Sequence, residues 1–498
     1  MMKRYAGLVA IVSMIVFCGG CASSKKNYTP TKKYAVHELQ SDYNLLKDIL
    51  RQTHPALYWY TAKPNMDAYF DRFYEVIKDS MTEQQFAWLA LAPLVNKIYC
   101  GHTSVSMSKA YSKWAKAKVT PSFPLYVKFW NDSMVVLANL NAKKDSLFTK
   151  GVLITAINEI PTQLVVKYML SFLPQDGAAN NVNLHRLSAN FPYYHRNIFG
   201  LSKSYKVKYI DSTGQAKNAL LPLYMPIVDS TLKDSTLLPS AIIPLPRLTR
   251  QAKLLRYRSF NVDSTKKYAT LTLHTFSEGR LRKFFRQSFR QLKKQHINNL
   301  IIDIRQNGGG KVNMSTLLTK YISKIPFKIA DSAYCNIRGL GKYRQYFSGG
   351  IFNNIQMYFS SRKGKNGSYH IKSLERHMYS PKQNKFAGQV YVLVSGPTFS
   401  AATLFCNAIK GQAGITLVGE ETGGGWYGNS GIIIPSIQLP NTKVRVRMPL
   451  YKIVQVYHGQ PKGSGVIPDI PVPPSYEAIM KGYDKKMAVV KAIITANK

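Results

Sequence analysis

The side chain best placed for nucleophilic chemistry is Ser400, in residues 391–425, YVLVSGPTFSAATLFCNAIKGQAGITLVGEETGGG. The stretch reads strand, tight turn, helix, strand, glycine-rich turn. Residues 391–394 are a short apolar run of strand type, and Gly396 and Pro397 punctuate it. Thr398 is expected to cap a helix whose apolar residues are Ala401, Ala402, Leu404, Phe405 and Ile409. Ser400 then falls in the first turn, with its hydroxyl exposed at the sheet edge. The backbone N–H groups beside it have no partner inside the helix and can receive an oxyanion. Serine is also common at helix starts for structural reasons. This stretch by itself leaves nucleophile and cap as alternatives.

Two further features bear on that choice. A predicted helix runs to about Ile98 and is followed by Tyr99, Cys100, Gly101, His102 and Thr103. Gly101 is read as the helix stop, and residues 103–107 look extended. His102 therefore sits on a turn between helix and strand, flanked by small residues that leave its ring accessible. His54, before Pro55 at another helix end, is read as structural. The second feature is Gly308, Gly309 and Gly310, directly after the buried-type strand 299–304. Glycines past a strand end let backbone N–H groups approach a substrate closely. A phosphate cradle and a simple turn are the alternatives, and the Lys-Ser/Thr ending of a P-loop is absent.

The chain has 498 residues, enough for two to four domains, and is 45% hydrophobic. Lys and Arg number 68 against 25 Asp and Glu, a formal charge of +43. Such an excess favours anionic surroundings. The basic residues are spread out, with no arginine-rich tract, zinc-finger or homeodomain pattern, so the charge reads first as a diffuse solvated surface and second as a membrane-facing one, and nucleic acid is not expected.

At the N-terminus, Lys3 and Arg4 precede an apolar run, 5–17, then Cys18, Gly19, Gly20 and Cys21. The run is too short to span a membrane and fits a secretory signal. Small residues directly before a cysteine resemble a bacterial lipoprotein signal, in which Cys21 becomes the lipidated first residue. An ordinary signal peptide cut near Ala22 is the alternative. The expected address is the bacterial cell envelope, facing the periplasm or exterior, with a lipid anchor at Cys21 and a polar tether over 22–33. Cys100, Cys335 and Cys406 remain, too widely spaced for a disulfide framework. No cysteine or histidine spacing suits a metal, and no cofactor is expected.

Residues 34–115 read as a helical region. Val36, Leu39, Tyr43, Leu46, Ile49 and Leu50 follow helical spacing, as do Met66, Tyr69, Phe70, Phe73, Val76 and Ile77. Thr82 with Gln85 looks like a capping box opening a third helix. Residues 116–226 alternate in short strands (123–129, 133–138, 151–157), then a helix over 163–172, and close with a hairpin around Gly214. Residues 227–265 read as a connector. From 266 to 498, strands at 268–273, 299–304, 391–394 and 415–418, followed by strands around 432–437 and 444–448, alternate with helices at 280–295 and 314–325. That alternation predicts a layered α/β domain with a largely parallel sheet.

The pieces, taken in order, resemble the S41 peptidases, the family of C-terminal processing and tricorn-core proteases. The resemblance rests on Gly101, His102 and Thr103 closing the helical region, on 150–161 (KGVLITAINEIP), and on 303–310 (DIRQNGGG). It continues with 398–402 (TFSAA), 419–425 (GEETGGG) and 465–472 (GVIPDIPV). It implies an α/β crotonase-like catalytic core, a PDZ-like β-rich segment over 116–226, and a serine nucleophile at a helix start. Processing proteases pair that serine with a lysine at the position of Gly425, whereas the tricorn-like branch draws a histidine from the N-terminal side, where His102 matches. The resemblance thus implies Ser400 as nucleophile, His102 as general base and an oxyanion hole from the N–H groups of Ala401 with Gly308 or Gly309, acting on a polypeptide substrate.

The match departs from the branch at two positions. Gly101 stands where the branch has serine, and Lys462 where it has a glutamate. The group that orients His102 is thereby unassigned, and Glu420 and Glu421 are the nearby candidates. The competing function is a catalytically idle protein on the same fold that binds peptides or apolar ligands. Acyl-CoA chemistry is disfavoured because export removes the chain from CoA pools.

Overall fold

The computed structural model describes residues 28–116, 118, 120–130, 133–143, 145–226, 249–455 and 461–496. The expected signal and Cys21 lie outside them, as does most of the expected connector. Among the described residues no helix is long and apolar enough to cross a membrane.

Apolar residues occupy both faces of strands Asn299–Asp303 and Gln389–Val394, so both faces must be covered, as in a parallel sheet flanked by helices. Six strands lie side by side in chain order: Arg258–Val262, Ala269–Leu273, Asn299–Asp303, Gln389–Val394, Ile415–Gly419 and Ile470–Pro471. All neighbours are parallel except the first pair. One face presents Leu300, Ile302, Val390, Val392 and Val394 to a core shared with helices Leu281–Lys294, Val312–Ile322 and Ala401–Ile409. The other presents Ile301, Tyr391, Leu393 and Val418 to Val490 and Ile494 of helix Lys485–Ala496. The expected parallel α/β core is present. It begins earlier than expected, because Arg258–Val262 is an edge strand and not connector. Cys406 is a fully buried member of the first core, and the three described cysteines are unpaired.

The N-terminal helices are Val36–Thr53 and Lys63–Tyr74, then a helical stretch from Glu83 to Asn96 widened to π geometry over Phe86–Leu91. The capping box forms: Gln85 N–H donates to Thr82 Oγ1 at 3.2 Å, and Thr82 N–H donates to Gln85 Oε1 at 3.0 Å. These helices share one core with Ile437, Val446, Met448 and Tyr451, so the region does not close on itself. Strand Ser104–Ser106, just past His102, pairs with Arg445–Arg447 of the C-terminal half. Residues 122–224 form an antiparallel sheet (Leu125–Trp130, Ser133–Asn139, Leu153–Ile157, Ser204–Ile210, Ala216–Pro222) with its own core. Helices Asn181–Ala189 and Phe191–Phe199, which the sequence reading did not anticipate, belong to this segment.

Asp42 clamps the helical region to the C-terminal half. It is fully buried, and its carboxylate accepts from Asn441 N–H (3.0 Å), Asn441 Nδ2 (3.1 Å), Thr442 N–H (2.8 Å) and Thr442 Oγ1 (2.6 Å). Removing the acceptor strands several buried donors, each costing about 1–3 kcal/mol. Asp42→Ala is expected to lower unfolding stability by about 3–5 kcal/mol in urea titrations. A change below about 1 kcal/mol would show that the clamp is dispensable.

Candidate active site

Strand Gln389–Val394 ends in a turn that is held from several sides. Ser395 N–H donates to Thr398 Oγ1 (3.1 Å), and Thr398 Oγ1 donates to the carbonyl of Ile304 on the neighbouring strand (3.0 Å). Phe399 N–H donates to the carbonyl of Asn307 (3.0 Å). Thr398 is therefore a turn pin and not the helix cap. Ser400 itself is the N-cap of helix Ala401–Ile409, at φ 54° and ψ −123°, and its hydroxyl caps nothing. A β-substituted residue in that region is strained and persists only where its surroundings over-determine it.

The glycine loop meets this serine edge-on. Gly309 has φ +99°, and a Cβ there would lie 2.7 Å from Ser400 Cβ and 2.9 Å from Ala401 N. Its N–H donates to Asn307 Oδ1 at 2.9 Å. Gly309 is thus not a free oxyanion donor, which corrects the expectation; its role is close approach. Among the described residues the N–H groups of Gly308 and Ala401 have no protein acceptor, so the pair Gly308–Ala401 remains open to an oxyanion.

His102 arrives on a loop that is fixed independently. The helix before it ends at Asn96, and the left-handed residue is Tyr99 (φ 53°), not Gly101, which corrects the expected stop. Gly101 N–H donates to Asp176 Oδ1 at 2.6 Å, while Asp176 Oδ2 accepts from Gly425 N–H at 3.3 Å. Burial outweighs these two bonds and the charge of Arg186, and pushes the Asp176 carboxyl up to about 6. Behind the loop, His54 Nδ1 accepts from Ala56 N–H (3.2 Å), so Nε2 carries the proton and donates to Thr103 Oγ1 (2.8 Å). His54 is structural, as expected.

The His102 ring is only 5% exposed and packs against Phe399, centroids 4.8 Å apart. Its Nδ1 is buried without a partner among the described residues, which leaves Nε2 as the nitrogen able to meet a reactant. Burial, then Arg447 and Arg186, push its pKa down to about 3. His102, Ser400, Phe399, Gly308 and Gly310 line one cavity of about 790 Å3. Neither acidic candidate faces the histidine. Glu420 accepts from Lys486 (2.5 Å), Ser395 Oγ (3.0 Å) and His185 Nε2 (3.4 Å). Glu421 accepts from Gly465 N–H (2.5 Å). Burial opposes ionisation of Glu420, but the His185 hydrogen bond and the Lys486 charge outweigh it and hold its carboxyl well below the usual range.

Residues 267–472 match the model of peptidase family S41. Over that segment the chain is similar to peptidase family S41. Among solved structures, mature CPAF complexed with lactacystin is similar at 14% identity and a TM-score of 0.61, over 93% of this chain and 99% of that one. Mature CPAF is similar at 13% identity and a TM-score of 0.59, over 89% and 94%. At such identities the likeness is one of fold. No curated protein matches by sequence.

The fold draws residues to this cavity that the sequence reading missed. His185 and Arg186 come from helix Asn181–Ala189, and Arg447 from the strand facing Ser104. The strand had a visible signal: in KVRVRM, Val444, Val446 and Met448 are buried and alternate with Arg445 and Arg447. The helix had little, because NNVNLHRLSAN is mostly polar and weakly periodic.

The fit of Gly309 gives a sharp test. Gly309→Ala puts a methyl where Ser400 Cβ stands and forces alanine to positive φ, costing about 1–2 kcal/mol. Reaction with a fluorophosphonate probe is expected to slow about 100-fold or more, since small misplacement of a reacting group is that costly. Unchanged labelling would refute the close-approach role.

Proposed function

We propose that the chain is an exported serine peptidase in which Ser400 is the nucleophile and His102 the general base. Ser400 Oγ bonds to the carbonyl carbon of a peptide while His102 Nε2 takes the hydroxyl proton. The carbonyl electron pair moves onto oxygen, where the N–H groups of Gly308 and Ala401 hold it. The imidazolium then protonates the amine nitrogen as the C–N bond breaks. Water then gives a proton to His102 Nε2 as its oxygen bonds to the acyl carbon, and the imidazolium returns that proton to Ser400 Oγ as the ester C–O bond breaks, releasing the acid. The observation that carries this reading is that Ser400, His102 and Gly308 line one cavity in an S41 domain. With it go a crotonase-like core over 266–498, a PDZ-like peptide-binding segment over 116–226, and a lipid anchor at Cys21 in the bacterial cell envelope. The substrates are then envelope or imported polypeptides.

The orphaned Nδ1 favours a second reading, an idle peptide-binding protein on the same fold. A base held in the wrong tautomer costs roughly 10⁴ in turnover, and a buried Nδ1–H without an acceptor disfavours the tautomer the mechanism needs.

A fluorophosphonate separates the two. The peptidase labels, and Ser400→Ala abolishes the label; a protein that retains peptides, never labels and is indifferent to His102→Ala is the binder. The pH profile tests the base. A lowered pKa keeps His102 neutral as pH falls, so the labelling rate constant is expected to stay flat from pH 7 to about 5. A histidine at the ordinary value of about 6.5 would be only about 3% neutral at pH 5, and the rate would fall about 25-fold. Such a fall would count against the buried His102 as base.

A further inference from the structure

The active cavity is cationic in a way that the peptidase chemistry does not use. Its charged wall residues are Arg186 and Arg447, with His102 and His185 beside them, and no Asp or Glu lines it among the described residues. Both arginines also line an adjoining pocket of about 280 Å3, walled by Trp88, Tyr193 and Tyr194 and likewise without an acid. The arginines therefore stand at the junction of the two spaces.

Neither has a carboxylate within ion-pair distance among the described residues, and the Asp176 carboxyl acts on Arg186 only from farther away. Arg186 Nη1 donates to the carbonyl of Pro174 (2.9 Å) and to Asn183 Oδ1 (2.8 Å), which aim the guanidinium, and no acid lies within ion-pair distance among the described residues. Arg447 is exposed, and among the described residues its guanidinium has neither a hydrogen bond nor an ion pair. Its place is fixed by its strand, where it faces Ser104, two residues past His102. Elsewhere the chain pairs an arginine in a cleft when it can, as Arg305 does with Asp303 and Asp484. A cationic pair left open beside a reaction centre calls for an anion that arrives with the ligand.

We propose that Arg447 and Arg186 form a subsite that binds a carboxylate of the peptide substrate next to the scissile bond. A planar guanidinium matches a carboxylate with two parallel hydrogen bonds. The carboxylate is either an acidic side chain or the terminal carboxylate of the peptide, and both offer the same chemistry. The aromatic pocket takes the apolar part of that residue. The bound anion also offsets the two positive charges that oppose a charged His102, so it aids the step in which the imidazolium forms. The net charge of +43 draws acidic peptides toward the protein at long range. The subsite deepens the peptidase reading and rests on it for the ligand being a peptide.

The test uses the full chain and fluorescein-labelled decapeptides in matched pairs, with Glu or Gln at each position in turn. Each is made as a C-terminal acid and as a C-terminal amide. Binding is read by anisotropy on Ser400→Ala, and cleavage on the unmodified chain. The expected result is a preference of about tenfold or more for the carboxylate member of a pair at one position. That preference is lost in Arg447→Gln and partly kept in Arg447→Lys, which shows that charge at this position carries it. A Glu preference that survives amidation identifies a side-chain carboxylate; an acid-over-amide preference indifferent to Glu identifies the terminus. Equal binding of acidic and neutral peptides, or a preference unchanged in Arg447→Gln, overturns the subsite. The two readings fail separately. Cleavage of acidic and neutral peptides alike removes the subsite and leaves the peptidase. Arg447-dependent binding with no cleavage does the reverse.

Discussion

The site depends on one buried carboxylate. Asp176 joins three segments distant in sequence: its own loop before helix Asn181–Ala189, the His102 loop through Gly101, and the glycine turn through Gly425. No side chain neutralises it within ion-pair distance among the described residues, and burial raises its pKa toward neutrality. A carboxylate kept there against its solvation cost fixes the backbone of the loop that carries the histidine. Gly425 contributes an N–H in close quarters, since a Cβ there would lie 2.8 Å from the Gly428 carbonyl. The position that carries a lysine in processing proteases is thus part of the frame that holds His102.

The serine side of the site is built by the opposite device, strain held by the sheet. Parallel strands end together at one edge, so the turn after Gln389–Val394 and the loop after Asn299–Asp303 meet. Asn307 binds both: its carbonyl accepts from Phe399, and its Oδ1 accepts from Gly309. Its Nδ2 is left buried without an acceptor among the described residues. The positive φ of Ser400 and the bare backbone of Gly309 are one constraint seen from two chains of contacts. Neither can relax without moving the other.

Much of this was legible in the sequence because it is local. The apolar runs at 299–304 and 391–394, the Thr82–Gln85 box and the hairpin at Gly214 are set by periodicity and turn chemistry, and the structure bears them out. Ser400, His102 and Gly308 were candidates from motif and position, and the fold brings them to one cavity. The misread points are tertiary. Thr398 looks like a cap but is claimed by the Ile304 carbonyl. Gly101 looks like a stop, but Tyr99 makes the turn and the Gly101 N–H is claimed by Asp176. Gly309 looks like an oxyanion donor, but its N–H is taken by a side chain two residues away. Arg186 and Arg447 reach the site through packing between segments that no local pattern connects.

The electrostatics of His102 follow from the same assembly. The histidine is buried, carries no acceptor at Nδ1 and faces two guanidinium groups, so every static term in its surroundings favours the neutral ring. A base in that setting accepts a proton reluctantly unless a negative charge appears with the proton. In an acyl transfer the oxyanion supplies part of that charge, a short distance away at Gly308 and Ala401. An oriented acid behind the ring would stabilise the imidazolium at all times; in the proposed peptidase that stabilisation comes only with the oxyanion of a reacting substrate. Burial and the two guanidinium groups favour the neutral ring until then.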